Sequence, residues 1–132
     1  MKFIRRPQVV EASQWVKNGD HPLDYANPVH SNDEKGNPCI VSGEERKRLD
    51  WEGSVVRRFR NPAIKGDTRC SFCGNIMDLH GWIDNPGEPR TVCPGDMVIT
   101  GNGGRYWPKK YSIFIDEHML LSEFNEIEGG HE

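Results

Sequence analysis

The sequence predicts an α+β fold, in which residues 1–132 form one small, mostly-β domain with one or two short helices. A chain of 132 residues suits one domain and is short for two. Its 14 glycines and 9 prolines divide it into short elements joined by turns. Only 35% of its residues are hydrophobic, so the core is expected to be small and to need reinforcement beyond apolar packing.

Strands are predicted where β-forming residues cluster or alternate. Residues 9–15, residues 54–60 and the short apolar segment 97–100 have this character. The Gly-Asn-Gly-Gly sequence at residues 101–104 tolerates positive φ and predicts a tight hairpin turn. The chain would then return as a partner strand at residues 105–107, ended by the proline that follows.

Helices are predicted at two places. Ser42 is a suitable N-cap with Glu45 three residues later, which is a capping-box pattern and predicts a short helix over residues 42–49. The rest of residues 21–53 carries mostly loop signals. Apolar spacings of three, four and seven predict a second helix over residues 116–126, although the apolar residues just before it would also fit a last strand.

The sequence Cys70-Ser-Phe-Cys73-Gly74 is the clearest chemical motif of the chain. Two thiolates separated by two residues can hold one tetrahedral ion, and Gly74 would let backbone amides approach the sulfurs without a Cβ clash. His80 and Cys93 complete the pattern Cys-x2-Cys-x6-His-x12-Cys, whose four ligands are typical of a structural zinc site. The sequence therefore predicts zinc as the cofactor.

The predicted zinc knuckle covers about residues 69–93, and two alternatives remain open for its ligands. Cys39 lies in a predicted loop that could fold over the site and replace Cys93 as the fourth ligand. His80 could instead be an ordinary surface or core histidine, with Cys93 a buried thiol. A redox role for the CxxC motif is less favoured, because such motifs usually open a helix within a βαβ unit and none is predicted.

Enzyme motifs are not found, so the sequence predicts a protein that is not an enzyme. The His-x-Glu and Pro-Cys-x-x-Cys pair of zinc deaminases is missing, and so is the His-Glu-x-x-His motif of metalloproteases. Phosphate-binding and dinucleotide-binding glycine motifs are also missing. Four protein ligands would leave no position for a catalytic water, which favours a structural site.

The chain is expected to be soluble and intracellular, with no membrane association. It has no run of roughly 18 apolar residues, the length a membrane helix needs. Residues 1–10 are basic but lack the apolar segment of a secretory signal. In a reducing compartment, the four cysteines are more typical of metal binding than of disulfides.

Two charged regions are candidate binding surfaces. Arg57, Arg58 and Arg60 flank Phe59 and could contact phosphates of a ligand or nucleic acid, although a solvated sheet face is the simpler interpretation. The net charge of −3 lowers the expectation of nucleic-acid binding. Residues 112–132 form an acidic helix or tail without lysine or arginine, and its candidate partner-binding residues are Asp116, Glu117, Glu123 and Glu126.

The chain resembles a known family at several places. The sequences Val-Cys-Pro-Gly-Asp-Met-Val-Ile-Thr-Gly at 92–101, Arg-Tyr-Trp-Pro at 105–108 and Ile-Phe at 113–114 resemble the C-terminal signature of small bacteriophage proteins of the PGDYG type. Residues 70–84 resemble the longer, zinc-bearing members, whereas residues 22–50 lie outside the resemblance. The opening matches at Lys2, Arg5, Arg6, Pro7, Val9, Glu11, Ala12 and Trp15.

The resemblance implies a phage-encoded protein in the host cytoplasm. Together with the missing enzyme motifs and the acidic C-terminal region, it favours an accessory protein that binds and inhibits a host protein, for instance a component of a defence system. Met97 stands where these proteins usually have an aromatic residue, and His118 stands where a tyrosine is expected. Both departures point to a specialised surface at the C-terminal end. Two other functions remain open: a small-ligand protein that sequesters a signalling nucleotide, and a zinc module that binds nucleic acid.

Overall fold

The protein was analysed as a computed structural model, which describes residues 1–3 and 8–123. This part of the chain contains three small antiparallel sheets and two short α-helices, which confirms the predicted α+β, mostly-β fold. In chain order the elements are β1 (Glu11–Gln14), β2 (Val29–Asn32), β3 (Pro38–Val41), α1 (Gly43–Arg48), β4 (Arg57–Arg58), β5 (Gly81–Ile83), β6 (Arg90–Val92), β7 (Met97–Thr100), β8 (Tyr106–Lys109) and α2 (Tyr111–Glu117).

The first sheet has the strand order β1-β7-β8, so a strand near the N-terminus pairs with strands from the last third of the chain. The predicted hairpin is confirmed: β7 and β8 pair, and Gly103 in the turn has a φ of +68°. The predicted end of the second strand is wrong, since β8 continues through Pro108 to Lys109. Proline fits there because β8 is an edge strand, where an N–H can be missing without a broken ladder bond.

The second sheet has the order β4-β5-β6 and carries the cysteine segment. The strand predicted over residues 54–60 is reduced to two residues, Arg57 and Arg58. The reason is the carboxylate of Asp24, whose Oδ1 accepts hydrogen bonds from the amides of Val55 and Val56 at 2.9 and 3.0 Å. These amides therefore bond to a side chain instead of a neighbouring strand.

A third sheet, the β2–β3 hairpin, lies in the region for which mostly loop was predicted. The loop signals mark only its turn, where Asp33 Oδ1 accepts hydrogen bonds from the amides of Lys35 and Asn37. The strands themselves were missed because most of their side chains are exposed, and such strands show little apolar alternation.

The helix predicted over residues 42–49 is confirmed as α1, with Ser42 Oγ accepting a hydrogen bond from the Glu45 amide at 3.2 Å. The second predicted helix is interrupted and begins earlier than predicted. α2 begins at Tyr111 and ends at Glu117, because His118 has extended backbone angles, and residues 121–123 are helical again. The alternative of a last strand is therefore wrong, and residues 124–126 of the predicted helix lie outside the described residues. Within residues 1–3 and 8–123, no helix is long and apolar enough to cross a membrane.

The core lies between the first two sheets and consists of few side chains. Its buried members are Trp15, Val56, Ile83, Val92 and Val98. Gly81 of β5 packs directly against this cluster. A Cβ atom at Gly81 would lie 2.4 Å from Val56 Cγ1 and 3.0 Å from Trp15 Cζ2, so the backbone approaches the core as closely as a glycine allows.

We predict that Gly81→Ala destabilises the protein by about 1–3 kcal/mol, because the added methyl group overpacks the core. Urea unfolding at constant metal content measures the change. Val56→Ala removes the closest contact, so the double variant should be more stable than the sum of the two single effects predicts, by more than about 0.5 kcal/mol. Strict additivity would show that the methyl group is accommodated elsewhere.

Candidate metal centre

The structure brings Cys70, Cys73, His80 and Cys93 together into one cluster. Their three sulfur atoms and one imidazole nitrogen all lie within 4.8 Å of one another. The Sγ atoms of Cys70 and Cys93 are 3.8 Å apart, and Cys73 Sγ is 3.2 Å from His80 Nε2. These four residues could hold a metal ion.

One sulfur–sulfur distance matches the value expected at a tetrahedral ion. Metal–sulfur bonds of about 2.3 Å in a tetrahedron place two sulfurs about 3.8 Å apart. The separation of the Cys70 and Cys93 sulfurs equals this value and is far longer than a disulfide bond. The four donors are therefore close enough together to hold one metal ion.

The first two ligands sit on a tight backbone turn. The Cys70 amide donates to the Asn75 carbonyl at 2.8 Å, and the Gly74 amide donates to the Cys70 carbonyl at 2.9 Å. The Phe72 amide points at Cys70 Sγ, 3.4 Å away, as expected for an amide that stabilises a thiolate. The turn closes through Gly74, whose φ is +78°.

The prediction that Gly74 is needed to give backbone amides space near the sulfurs is wrong. A Cβ atom built on this residue would meet nothing within 4 Å, so space around the sulfurs is not the constraint. The constraint is the left-handed backbone conformation, which residues with a Cβ adopt only at a cost.

His80 is held in the orientation that ligation needs. It follows the 3-10 turn Met77–Leu79, begins the approach to β5 and is 2% exposed. Its Nδ1 lies 3.0 Å from the Ile76 carbonyl oxygen. With Nδ1 donating to this carbonyl, Nε2 keeps its lone pair for a metal, which is the usual arrangement of a histidine ligand.

Cys93 is positioned by the turn that connects β6 to β7. Asp96 Oδ2 accepts a hydrogen bond from the Cys93 amide at 2.9 Å, which gives Asp96 a structural role in this turn. Its other oxygen accepts from Lys110 Nζ at 3.1 Å. The backbone of Trp15 bonds to both Gly95 and Asp96, which ties this turn to β1.

The pKa values of the Cys70 and Cys93 thiols, which face each other, shift in opposite directions. Burial raises the pKa of Cys70, but the amides of Cys73 and Phe72, with His80 and Cys93, outweigh this effect and bring the pKa to about 6. Burial is the main reason that the pKa of Cys93 rises to about 12, against the opposing effect of Lys110. Cys70 is therefore the thiol that gives up its proton first.

Cys39, the alternative fourth ligand, does not belong to the cluster. It lies on β3 opposite Ser31. The group of possible ligands found among the described residues contains Cys93 and not Cys39. The preference for Cys93 is therefore consistent with the structure.

Each of the three predicted phosphate-binding arginines lies against a carboxylate. The Arg57–Asp84 and Arg58–Asp50 distances are 3.0 and 3.4 Å. Arg60 is paired with Glu52. Phe59, which lies between Arg58 and Arg60 in the chain, packs edge-on against Trp82 with ring centroids 5.9 Å apart. A phosphate would have to displace these carboxylates, which agrees with the simpler interpretation of a solvated sheet face.

Three of the four predicted partner-binding acidic residues lie within the described residues. Asp116 and Glu117 are exposed on α2, and Glu123 is exposed beyond it. Glu117 forms a partly exposed ion pair with Lys109 of β8. Glu126 lies outside the described residues.

Sequence reasoning missed the contribution of Lys110. Its ammonium group bonds to Asp96 and faces Cys93, so it brings a positive charge beside the thiolates. The burial of Lys110 lowers its pKa, but contacts with Cys93 and Asp96 outweigh burial and raise it. No spacing signal marks this residue, since it reaches the cluster only through the pairing of β8 with β7.

Comparison with known proteins gives no match: no family model, curated protein or solved structure is sufficiently similar to this chain.

We predict that replacing Cys70, Cys73 or Cys93 by Ser, or His80 by Ala, removes the bound metal. The melting temperature should fall by about 10 °C or more, since metal binding contributes directly to folding. Elemental analysis and thermal unfolding of each purified variant measure the two effects.

Cys39→Ser is the matched control and should retain both the metal and the melting temperature. Metal loss in this variant, with retention in Cys93→Ser, would show that the fourth ligand is assigned to the wrong cysteine.

Proposed function

We propose that this protein is a zinc-stabilised binding protein, without enzymatic activity, that acts by docking its C-terminal surface onto another protein. One observation carries the proposal: a row of large apolar side chains is exposed on and just after α2. The side chains, 47–67% exposed, are Tyr111, Ile113, Ile115, Met119, Leu120 and Leu121.

Zinc is the metal that best suits the four ligands. Thiolate and imidazole groups are soft or borderline donors, whereas magnesium and calcium prefer oxygen ligands. Three cysteines and one histidine in a tetrahedral arrangement form a common structural zinc set. With all four positions filled by the protein, zinc would have no open position for water, which supports a structural role over a catalytic one.

The segment that carries the first two ligands needs such support because it buries few apolar side chains of its own. Between Phe59 and His80, Met77 is the one apolar side chain that is buried, while Phe72 and Leu79 are largely exposed. Ordering the backbone costs about 1–2 kcal/mol per residue, which so little burial does not offset. Metal binding would supply the missing free energy.

The number of exposed apolar side chains in this short segment supports a protein-binding role. A single exposed apolar residue is normal, but six within residues 111–121 are more than folding requires. Within α2, Phe114 is the more covered residue and stacks on His118 at a centroid distance of 4.2 Å. Ile113 and Ile115 stay half-exposed.

The charges around the row indicate the kind of partner. Asp116, Glu117 and Glu123 are interspersed with the apolar residues, and no lysine or arginine follows Lys110. A complementary partner would offer an apolar groove with basic residues at its edge. An anionic membrane surface fits less well, because it would repel these carboxylates.

The source of the partner is inferred from the resemblance to PGDYG-type bacteriophage proteins. Such a resemblance supports a host protein as the partner, the host cytoplasm as the location, and inhibition by covering a functional surface. A basic, apolar groove of a defence component that handles nucleic acid would match the charge pattern described here.

The test of the partner surface uses the tagged, zinc-loaded chain and a double variant, Ile113→Asp with Leu120→Asp. In host lysate, the unmodified chain should retain one protein stoichiometrically, and the double variant should retain at least about tenfold less, since each apolar anchor is replaced by a charge. Quantitative mass spectrometry of the retained fraction gives the ratio.

Arg58→Ala, on the opposite sheet, is the control and should retain the partner. The absence of a stoichiometric partner, equal retention by the double variant, or self-association of the chain through this row would each overturn the proposal.

The identity of the metal is tested separately by native mass spectrometry, in which one zinc per chain is expected and an iron-containing or metal-free folded species would contradict the assignment.

A further inference from the structure

A groove of about 850 Å³ lies beside the metal centre, between the cysteine knuckle and β8. Its volume falls within the range typical of small-molecule sites. Cys70 and Cys93 line it together with residues 107–109 of β8 and Lys110, so a ligand there would lie close to the candidate metal centre. The groove is distinct from the exposed apolar row of the C-terminal surface.

Two aromatic side chains line the groove without being part of the core. Phe72, at the tip of the knuckle, is 81% exposed. Trp107 is half-buried on β8, and the guanidinium of Arg90 lies 5.1 Å from its ring centroid. Lys110 Nζ lies 5.5 Å from the ring centroid of Phe72. Both aromatic rings at the groove therefore lie beside a cation.

The charges that line the groove are mostly positive. Four basic side chains line it against one acidic residue, Asp96; the four are Arg69, Arg90, Lys109 and Lys110. Three of these cations pair with carboxylates: Arg90 with Glu88, Lys109 with Glu117, and Lys110 with Asp96.

Arg69 differs from the other three. Its Nη1 donates to the Gly74 carbonyl at 3.0 Å, and no carboxylate within the described residues lies in ion-pair distance of it. A guanidinium has five N–H donors in a planar fork that matches phosphate. Arg69 therefore retains donors for an anion at the edge of the groove.

We propose that this groove binds a nucleoside phosphate, with the base against Phe72 and Trp107 and the phosphate at Arg69. The combination of aromatic faces with cations selects for a ligand that has both a planar ring and an anionic group. An apolar ligand would leave the cations desolvated, and inorganic phosphate would leave the rings without a partner. The nucleotide-binding function considered from the sequence is thus placed at this groove, while Arg57, Arg58 and Arg60 already contact carboxylates.

The test titrates the zinc-loaded chain with the four common ribonucleoside diphosphates by calorimetry, at fixed salt. At least one should bind, and inorganic phosphate or the matching nucleoside alone should bind at least about tenfold more weakly. Phe72→Ala and Arg69→Ala should each weaken binding of that nucleotide by about tenfold.

Arg58→Ala is the matched control and should bind as the unmodified chain does. Because Phe72 is exposed, its variant should keep the metal and the melting temperature, which separates a binding defect from a folding defect. A single-stranded oligonucleotide provides the second arm of the test.

The proposal would be overturned if none of the four diphosphates gave a binding heat. It would also be overturned if Arg58→Ala weakened nucleotide binding as much as Phe72→Ala or Arg69→Ala does. Binding of the oligonucleotide without binding of any free nucleotide would also overturn it, since it would assign the groove to a polymer. The result is independent of the C-terminal surface, so the Ile113→Asp, Leu120→Asp double variant should still bind the nucleotide.

Discussion

The central interaction of the structure is the meeting of four side chains that could hold one metal ion and that come from three separate places in the chain. Cys70 and Cys73 come from a turn, His80 from the entry to β5, and Cys93 from the end of β6. Asp96 connects this cluster to the first sheet, because it bonds the Cys93 amide and the backbone of its turn bonds Trp15, which directly follows β1. Polar contacts thereby supplement the small apolar core.

A buried carboxylate organises the other side of the molecule. Asp24 is fully buried and receives the amides of Val55 and Val56, and Ser54 bonds its backbone carbonyl. Burial raises the pKa of Asp24, while the two backbone hydrogen bonds lower it and only partly offset that effect. The Asp24 carboxylate thus supplies the hydrogen-bond acceptor that a neighbouring strand would otherwise provide. With its amide bonded in this way, Val56 contacts Trp15 and Gly81 at the centre of the core.

The two proposed binding surfaces share one structural link. Lys109 lines the groove and pairs with Glu117 of α2, and Lys110 lines the groove and pairs with Asp96 beside the metal ligands. The groove, the C-terminal surface and the metal centre therefore meet at the end of β8.

Features that depend on local spacing could be predicted from the amino-acid sequence. The Cys-x2-Cys-x6-His-x12-Cys pattern identified the four clustered side chains, and Ser42 with Glu45 identified α1, because a turn and a helix cap involve residues close in the chain. Contacts between distant residues became visible only in the folded structure. They shortened the strand at residues 54–60 through Asp24, paired the arginines with carboxylates and brought Lys110 to Cys93. Such contacts depend on how the sheets pack and leave no periodic signal in the sequence, since one buried carboxylate or lysine resembles any other until the fold places it.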